Sequence, residues 1–236
     1  MKTLADAVKR IPVLGPISRN VYRSVFRSTG GFPGSNSYWE QRYVAGGNSG
    51  AGSYNRLAEF KAEVLNRFVA EHDIRTVVEF GCGDGNQLGL AEYPEYLGFD
   101  VSPTAIEMCR ARFAGDPSKT FSLYDDRTSD DVYRLGYDLS LSLDVIYHLV
   151  EDEVFEQYMQ RLFDAASRHV IVYSSNFESA RNFHQRDRKF TDWVARCRPS
   201  WRLVNNIPNR YPCDRDAPNE TSKADFFFFE RRTAEN

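Results

Sequence analysis

Apolar residues recur along the chain with two different spacings, and the two spacings alternate. Residues 54–72 predict an amphipathic helix, because apolar side chains fall three or four positions apart. This apolar face carries Leu57, Phe60, Val64, Leu65 and Phe68. β-Branched and aromatic runs predict strands at 75–80, 95–100, 119–124, 137–143, 168–174, 201–207 and 224–231. Helices are predicted at 37–43, 86–93, 102–114, 151–166 and 184–198.

Strands that alternate with helices predict an α/β fold, a doubly wound, mostly parallel sheet of seven strands with helices on both faces. The last two strands have no long helix between them, so we expect an antiparallel terminal strand. Phe226–Phe229 would lie in a strand that is buried on both faces. We expect residues 1–72 to form a helical or lid segment packed on a core formed by residues 73–236.

Composition restricts the class of protein. Net charge is −3 over 236 residues, which does not favour nucleic acid as a partner. The four cysteines match no zinc spacing, no apolar run approaches a membrane span, and no signal peptide is visible. We therefore expect a cytoplasmic protein. The N-terminal 31 residues are basic and suit either peripheral contact with an anionic membrane or an ordinary surface helix.

Three glycines alternate in EFGCGDG, between the first predicted strand and the next helix. Gly81, Gly83 and Gly85 permit a tight turn at the carboxyl edge of the sheet, where α/β sheets bind ligands. The dinucleotide fingerprint would need glycine where Asn86 stands, and the P-loop pattern is absent as well.

With Glu79 ahead of it, this turn resembles motif I of the class I S-adenosylmethionine-dependent methyltransferases. Asp100, the LYDD stretch at 123–126 and LSLDVIYHL at 141–149 follow in that family's order. The resemblance covers residues 75–175 and, through the closing strands, extends to 231. It implies a Rossmann-like methyltransferase fold, S-adenosyl-L-methionine as cofactor and S-adenosyl-L-homocysteine as product. The implied cofactor contacts are Glu79, Gly81, Cys82, Gly83, Gly85, Asp100, Val101, Asp125, Asp126, Leu143 and Asp144.

Methylation of a hydroxyl needs an aligned acceptor and a base, and histidine is the most useful base near neutral pH. His148 and His184 follow the fourth and fifth strands, at the same edge of the sheet as the glycines, with Asp144 beside the former. Either His148 is the base or its ring orients a loop. His72 and His169 fall at the opposite edge, which suggests structural roles.

The acceptor is less well defined. Tyr147, Arg181, Arg186 and Arg188 are candidates for binding it, and the arginines suit an anionic group or form a solvated face. Ahead of the glycines, two groups of residues would either form a lid or belong to the core. The aromatic group is Trp39, Tyr43 and Tyr54, and the basic group is Arg42 and Arg56.

We expect O-methylation of a small molecule, sugar or glycan. N-methylation of a small amine or amino sugar is the alternative, although residues 144–147, DVIY, lack the Asn-Pro-Pro-aromatic motif of many nucleic-acid and protein amine methyltransferases. A non-enzymatic alternative is a catalytically silent module that binds S-adenosylmethionine and serves as a partner of another protein. A Mg²⁺ ion near Asp125, Asp126 and Asp144 is conceivable, but no dedicated arrangement is visible, and oligomeric state is not indicated.

Overall fold

The computed structural model describes residues 32–125, 127, 129–180 and 182–232. The chain divides at Pro33, and the unit Met1–Pro33 lies almost entirely outside the described residues. The basic N-terminal stretch, Asp126 and Arg181 therefore lie outside the described residues. Residues 34–72 fold in the same compact unit as the sheet, Gly34–Asn236.

The sheet has seven strands in the order β3-β2-β1-β4-β5-β7-β6. Strand β7 runs in the opposite direction to the other six strands of the described chain, as expected because no long helix separates it from β6. The strands are β1 Thr76–Phe80, β2 Glu95–Asp100, β3 Lys119–Leu123, β4 Tyr137–Leu143, β5 Ala166–Ser174, β6 Trp201–Ile207 and β7 Asp225–Arg231.

Five α-helices accompany the strands within the described residues. They are α1 Ser35–Val44, α2 Asn55–Glu71, α3 Pro103–Arg112, α4 Asp152–Asp164 and α5 Phe190–Cys197. The helix predicted at 86–93 is wrong: Gly89 and Pro94 leave room only for a single 3₁₀ turn, Leu88–Leu90. The helix predicted at 184–198 begins only at Phe190, because the main chain before it bonds to other segments, for example from Arg186 N–H to the Tyr147 carbonyl.

Two hydrophobic clusters cover the two faces of the sheet. Helices α4 and α5 pack on one face, and α2 and α3 pack on the other. In β7 the four phenylalanines alternate between the clusters, with Phe227 and Phe229 on the first face and Phe226 and Phe228 on the second. The expectation of a strand buried on both faces is confirmed. None of the helices in the described part of the chain has the length and apolar character needed to cross a membrane.

Candidate active site at the carboxyl edge of the sheet

The alternating glycines form a left-handed turn directly after β1. Gly81, Gly83 and Gly85 all have positive φ, at 87°, 58° and 72°. The N–H groups of Gly81 and Cys82 both donate to the Phe99 carbonyl, which ties the turn to the end of β2. A Cβ at Gly81 would overlap Val145, and one at Gly83 would overlap the Ser49 hydroxyl. These glycines therefore let two other chain segments approach the turn.

Two buried carboxyl groups lie beside this turn. Asp100 accepts the Gly83 N–H with one oxygen and the Ser102 N–H with the other, both at 2.9 Å. Burial raises the pKa of Asp100 to about 6. Glu79 accepts the Tyr96 hydroxyl at 2.6 Å, and burial raises its pKa to about 7. Both groups thus lie in a poorly hydrated place where a bound cation or hydrogen-bond donor would stabilise their charged forms.

A third buried acid, Asp84, ties the loop between α1 and α2 to the turn. Its Oδ2 accepts the Ser49 N–H at 3.0 Å and the Tyr54 hydroxyl at 2.7 Å. The Ser49 hydroxyl in turn accepts the Asp84 N–H at 2.9 Å. Sequence reasoning missed Asp84, although an acid between two glycines of a ligand-binding turn was a usable signal.

Helix α1 lies across the carboxyl edge of the sheet and is fixed at its start and at its middle. At its start, the Ser35 hydroxyl lies 2.7 Å from a Glu151 carboxylate oxygen and 2.8 Å from the His148 carbonyl oxygen. At its middle, Glu40 accepts the hydroxyls of Ser102, at 2.5 Å, and Thr104, at 2.8 Å. This helix therefore spans from the start of α3 to the chain just before α4.

Asp144 follows β4 with φ 61° and is paired with a buried lysine. Lys61 Nζ, on α2, lies 2.7 Å from Asp144 Oδ2, and the lysine side chain is 1% exposed. The Tyr147 hydroxyl donates to the other Asp144 oxygen at 2.9 Å. The signal for Lys61 was its place among the apolar positions of a predicted helix, and sequence reasoning missed it.

One cavity brings most of the predicted cofactor residues together. Its lining includes Glu79, Gly81, Cys82, Gly83, Asp100, Val101, Leu143 and Asp144. Gly85 instead lies against Phe113 and Cys109, and the Asp125 carboxylate bonds to Arg127 at 2.9 Å and 3.1 Å. Tyr124 lines the cavity at the end of β3.

His148 lines the same cavity. Its Nδ1 is 3.1 Å from the His184 carbonyl oxygen, and its ring stacks on that of His184 with centroids 5.5 Å apart. Burial, together with the nearby His184, Lys223 and Arg42, lowers the pKa of His148 to about 3. The imidazole is therefore neutral near pH 7. His72 and His169 contact each other and Phe68, around the start of β5.

Two of the three arginines predicted to bind an acceptor, Arg186 and Arg188, are paired with protein groups, and the third, Arg181, lies outside the described residues. Arg186 lies 2.8 Å from Asp152, and Arg188 bonds to the carbonyls of Leu149 and Val150 and to Asp152. Arg188 is 9% exposed, which leaves little of it for a ligand.

Only some of the residues predicted to form a lid line the cavity. Trp39 and Tyr43 line the cavity, whereas Tyr54 bonds to Asp84. The two basic residues bond to main-chain oxygens, Arg42 to Asn48 and Arg56 to Glu220. Within the described ranges, no cluster of three or more His, Cys, Asp or Glu residues is arranged to hold a metal ion.

Comparisons with known proteins indicate the class of protein. Residues 78–170 match the methyltransferase domain family. A small RNA 2′-O-methyltransferase of Arabidopsis thaliana is 30% identical over 134 residues, which is 52% of this chain but only 14% of that protein's length.

Two solved structures share the fold. The methyltransferase domain of bacterial CtHen1 has a TM-score of 0.55 at 20% identity and covers 73% of this chain and 97% of its own. The N-methyltransferase NodS from Bradyrhizobium japonicum, in complex with S-adenosyl-L-homocysteine, has a TM-score of 0.58 at 12% identity. The match covers 85% of this chain and 100% of NodS. The family match over residues 78–170, together with the strand order and the glycine turn, supports a class I S-adenosylmethionine-dependent methyltransferase.

Proposed function

We propose that this protein transfers a methyl group from S-adenosylmethionine to a hydroxyl group of a small molecule or sugar, with His148 as the base. The observation that carries the proposal is the position of His148. A neutral imidazole lines the same cavity as the buried acids Glu79 and Asp100. When bound, the cofactor supplies a methyl group on a positively charged sulfur, and the sulfur keeps the electron pair of the bond that breaks.

The residues of the cavity fit this cofactor. Asp100, at the end of β2, would accept ribose hydroxyls, and Glu79 and the glycine turn would bind the amino-acid portion. The cavity also carries more acids than cations, with Glu79, Asp100 and Asp144 against Lys61. This excess of negative charge favours a ligand that carries a positive sulfur.

His148 would take the hydroxyl proton while the acceptor oxygen bonds to the methyl carbon. A weak base is sufficient, because the oxygen becomes positively charged as the new bond forms and its proton becomes acidic. The pairing of Arg186 and Arg188 with Asp152 and main-chain carbonyls favours an uncharged acceptor over an anionic one.

The ribose 2′-hydroxyl of RNA is the second candidate acceptor. It is favoured by the 30% identity with the Arabidopsis small RNA 2′-O-methyltransferase. An amine acceptor would not need the base, so activity that survives removal of His148 would favour the N-methylation alternative.

Two experiments test the proposal. Calorimetry should show S-adenosylmethionine binding that Asp100→Ala weakens by about 1–3 kcal/mol, the value of a hydrogen bond to a charged group. No binding, or equal affinity for NAD, would contradict the cofactor assignment. Labelled cofactor incubated with metabolite fractions, glycans and small RNA should then label a hydroxyl-bearing acceptor, and His148→Ala should abolish the labelling. A catalytically silent module would bind the cofactor but label nothing.

A further inference from the structure

We infer that Tyr38 and His184 are positioning residues, which hold the His148 imidazole with its proton on Nδ1 and its lone pair on Nε2, facing the cavity. What the lone pair does rests on the proposed function, whereas the position of the proton does not. Neither the stacking of Tyr38 on His184 nor that of His184 on His148 follows from the sequence, since Tyr38 lies 146 positions before His184 and His184 lies 36 positions after His148.

Three rings form a column beside the cavity. Tyr38 stacks on His184 with centroids 5.0 Å apart and planes 15° apart. His184 stacks on His148 at 5.5 Å and 13°. Trp39 packs edge-to-face on His148 at the side of this column, with ring centroids 4.9 Å apart and ring planes at 85°. Tyr38 is 6% exposed, so the column has a buried end against which the histidines pack.

The main-chain carbonyl of His184 fixes the tautomer. His148 Nδ1 lies 3.1 Å from this oxygen, and a carbonyl oxygen only accepts hydrogen bonds. Nδ1 must therefore carry the proton, and the other nitrogen of the neutral ring keeps its lone pair. The same residue thus supplies a ring that sets the orientation of His148 and a carbonyl that sets its protonation pattern.

The charges that face His148 keep it neutral. Burial has the largest effect on its pKa, and His184, Lys223 and Arg42 oppose a second positive charge nearby. On its own segment, the neighbouring Tyr147 ring lies 4.6 Å from that of His148. When the acceptor proton reaches Nε2, the Nδ1 proton stays bonded to the His184 carbonyl, and the new proton is released to solvent because the cationic ring is disfavoured.

Nitrogen NMR tests the positioning without any acceptor. In ¹⁵N-labelled full-length protein, long-range proton–nitrogen spectra should show His148 with a protonated Nδ1 and an unprotonated Nε2. The signals should not titrate between about pH 5 and 8. Comparison with the His148→Gln spectrum assigns them. A protonated Nε2, or a mixture of tautomers, in the folded wild-type protein would overturn the inference.

Two variants separate the ring column from the carbonyl. Tyr38→Leu keeps the His184 carbonyl, so the proton should stay on Nδ1 while the His148 titration midpoint rises by at least about one pH unit, as burial decreases. Tyr38→Phe keeps the ring and should match the wild type. His184→Leu keeps the carbonyl, so the proton should stay on Nδ1 while the midpoint rises. If Tyr38→Leu fails to fold, His184→Leu still tests the column, and unchanged spectra in both variants would contradict it.

The methyl-transfer assay separates this inference from the proposed function. If the proton is on Nδ1 but His148→Ala still labels the acceptor, the positioning stands and the assignment of His148 as base fails. If the wild-type tautomer is the opposite one and His148→Ala is inactive, the base assignment stands and the roles given to Tyr38 and His184 fail.

Discussion

The cofactor half and the acceptor half of the cavity are built in different ways. The cofactor half consists of groups close in sequence, from Glu79 to Ser102, bonded to one another through main-chain N–H groups. The acceptor half brings together α1, the 3₁₀ turn Ile146–His148 and residues 182–189 through stacked rings. One half can therefore keep its chemistry while the other changes, which suits a family whose members share a cofactor and differ in acceptor.

Lys61 is where the two halves meet, and its removal should have the largest effect. Lys61→Met leaves the Asp144 carboxylate without its buried partner. We expect a loss of about 3–5 kcal/mol in the free energy of unfolding, measured by urea denaturation. Adding Asp144→Asn to this variant should recover much of the loss, because no uncompensated charge then remains. If the two effects simply add, the ion pair does not contribute as proposed.

The glycine turn offers a smaller and more local test. Gly83→Ala would force both a positive φ on alanine and an overlap with the Ser49 hydroxyl. Gly46 is a matched control, since its φ is 77° but nothing lies within 4 Å of its absent Cβ. Gly83→Ala should cost at least about 1 kcal/mol more than Gly46→Ala in the free energy of unfolding, because only it crowds a packed neighbour. Equal losses would mean that the loop of Ser49 does not pack on the turn.

The sequence predicts the cofactor half better than the acceptor half for a physical reason. A tight turn needs glycine at fixed positions and a parallel strand needs an apolar run, so both produce a recognisable pattern within a short stretch of sequence. The mostly parallel sheet and its antiparallel β7 follow from this local pattern, whereas the strand order does not. The contacts of Lys61, Asp84 and Tyr38 are long-range, and each residue type has many other uses in a protein. The arginines show a different limit of the sequence. Their clustering suggested an anionic ligand, but in the folded protein Arg186 and Arg188 pair with Asp152.

Protonation should affect folding and cofactor binding in opposite directions. Burial raises the pKa of Glu79 to about 7 and that of Asp100 to about 6. Their stabilising contribution to the folded protein is complete below the ordinary carboxyl pKa and is lost as the pH rises through about 6–7. In the proposed site the charged forms of both acids bind the cofactor, so its affinity should instead fall as the pH drops.

Calorimetry measures this second effect directly. Between about pH 8 and 5.5 we expect the affinity for S-adenosylmethionine to fall about 100-fold, about 30-fold from protonation of Glu79 and about fourfold from that of Asp100. Glu79→Gln should remove the upper part of the pH dependence and leave the part due to Asp100. An affinity that is independent of pH would mean that neither carboxylate contacts the cofactor.

The smallest effect is expected at Arg186, on the acceptor side. Its side chain is 30% exposed and pairs with an Asp152 side chain that is 63% exposed. Arg186→Ala should therefore lower the free energy of unfolding by less than about 1 kcal/mol. Arg202→Ala, which breaks another exposed pair with Glu230, serves as the control. With an uncharged acceptor, both variants should also keep the wild-type rate of methyl transfer. A large loss of transfer in Arg186→Ala alone would show that this guanidinium leaves Asp152 to bind an anionic acceptor. The acceptor half would then select its ligand by charge.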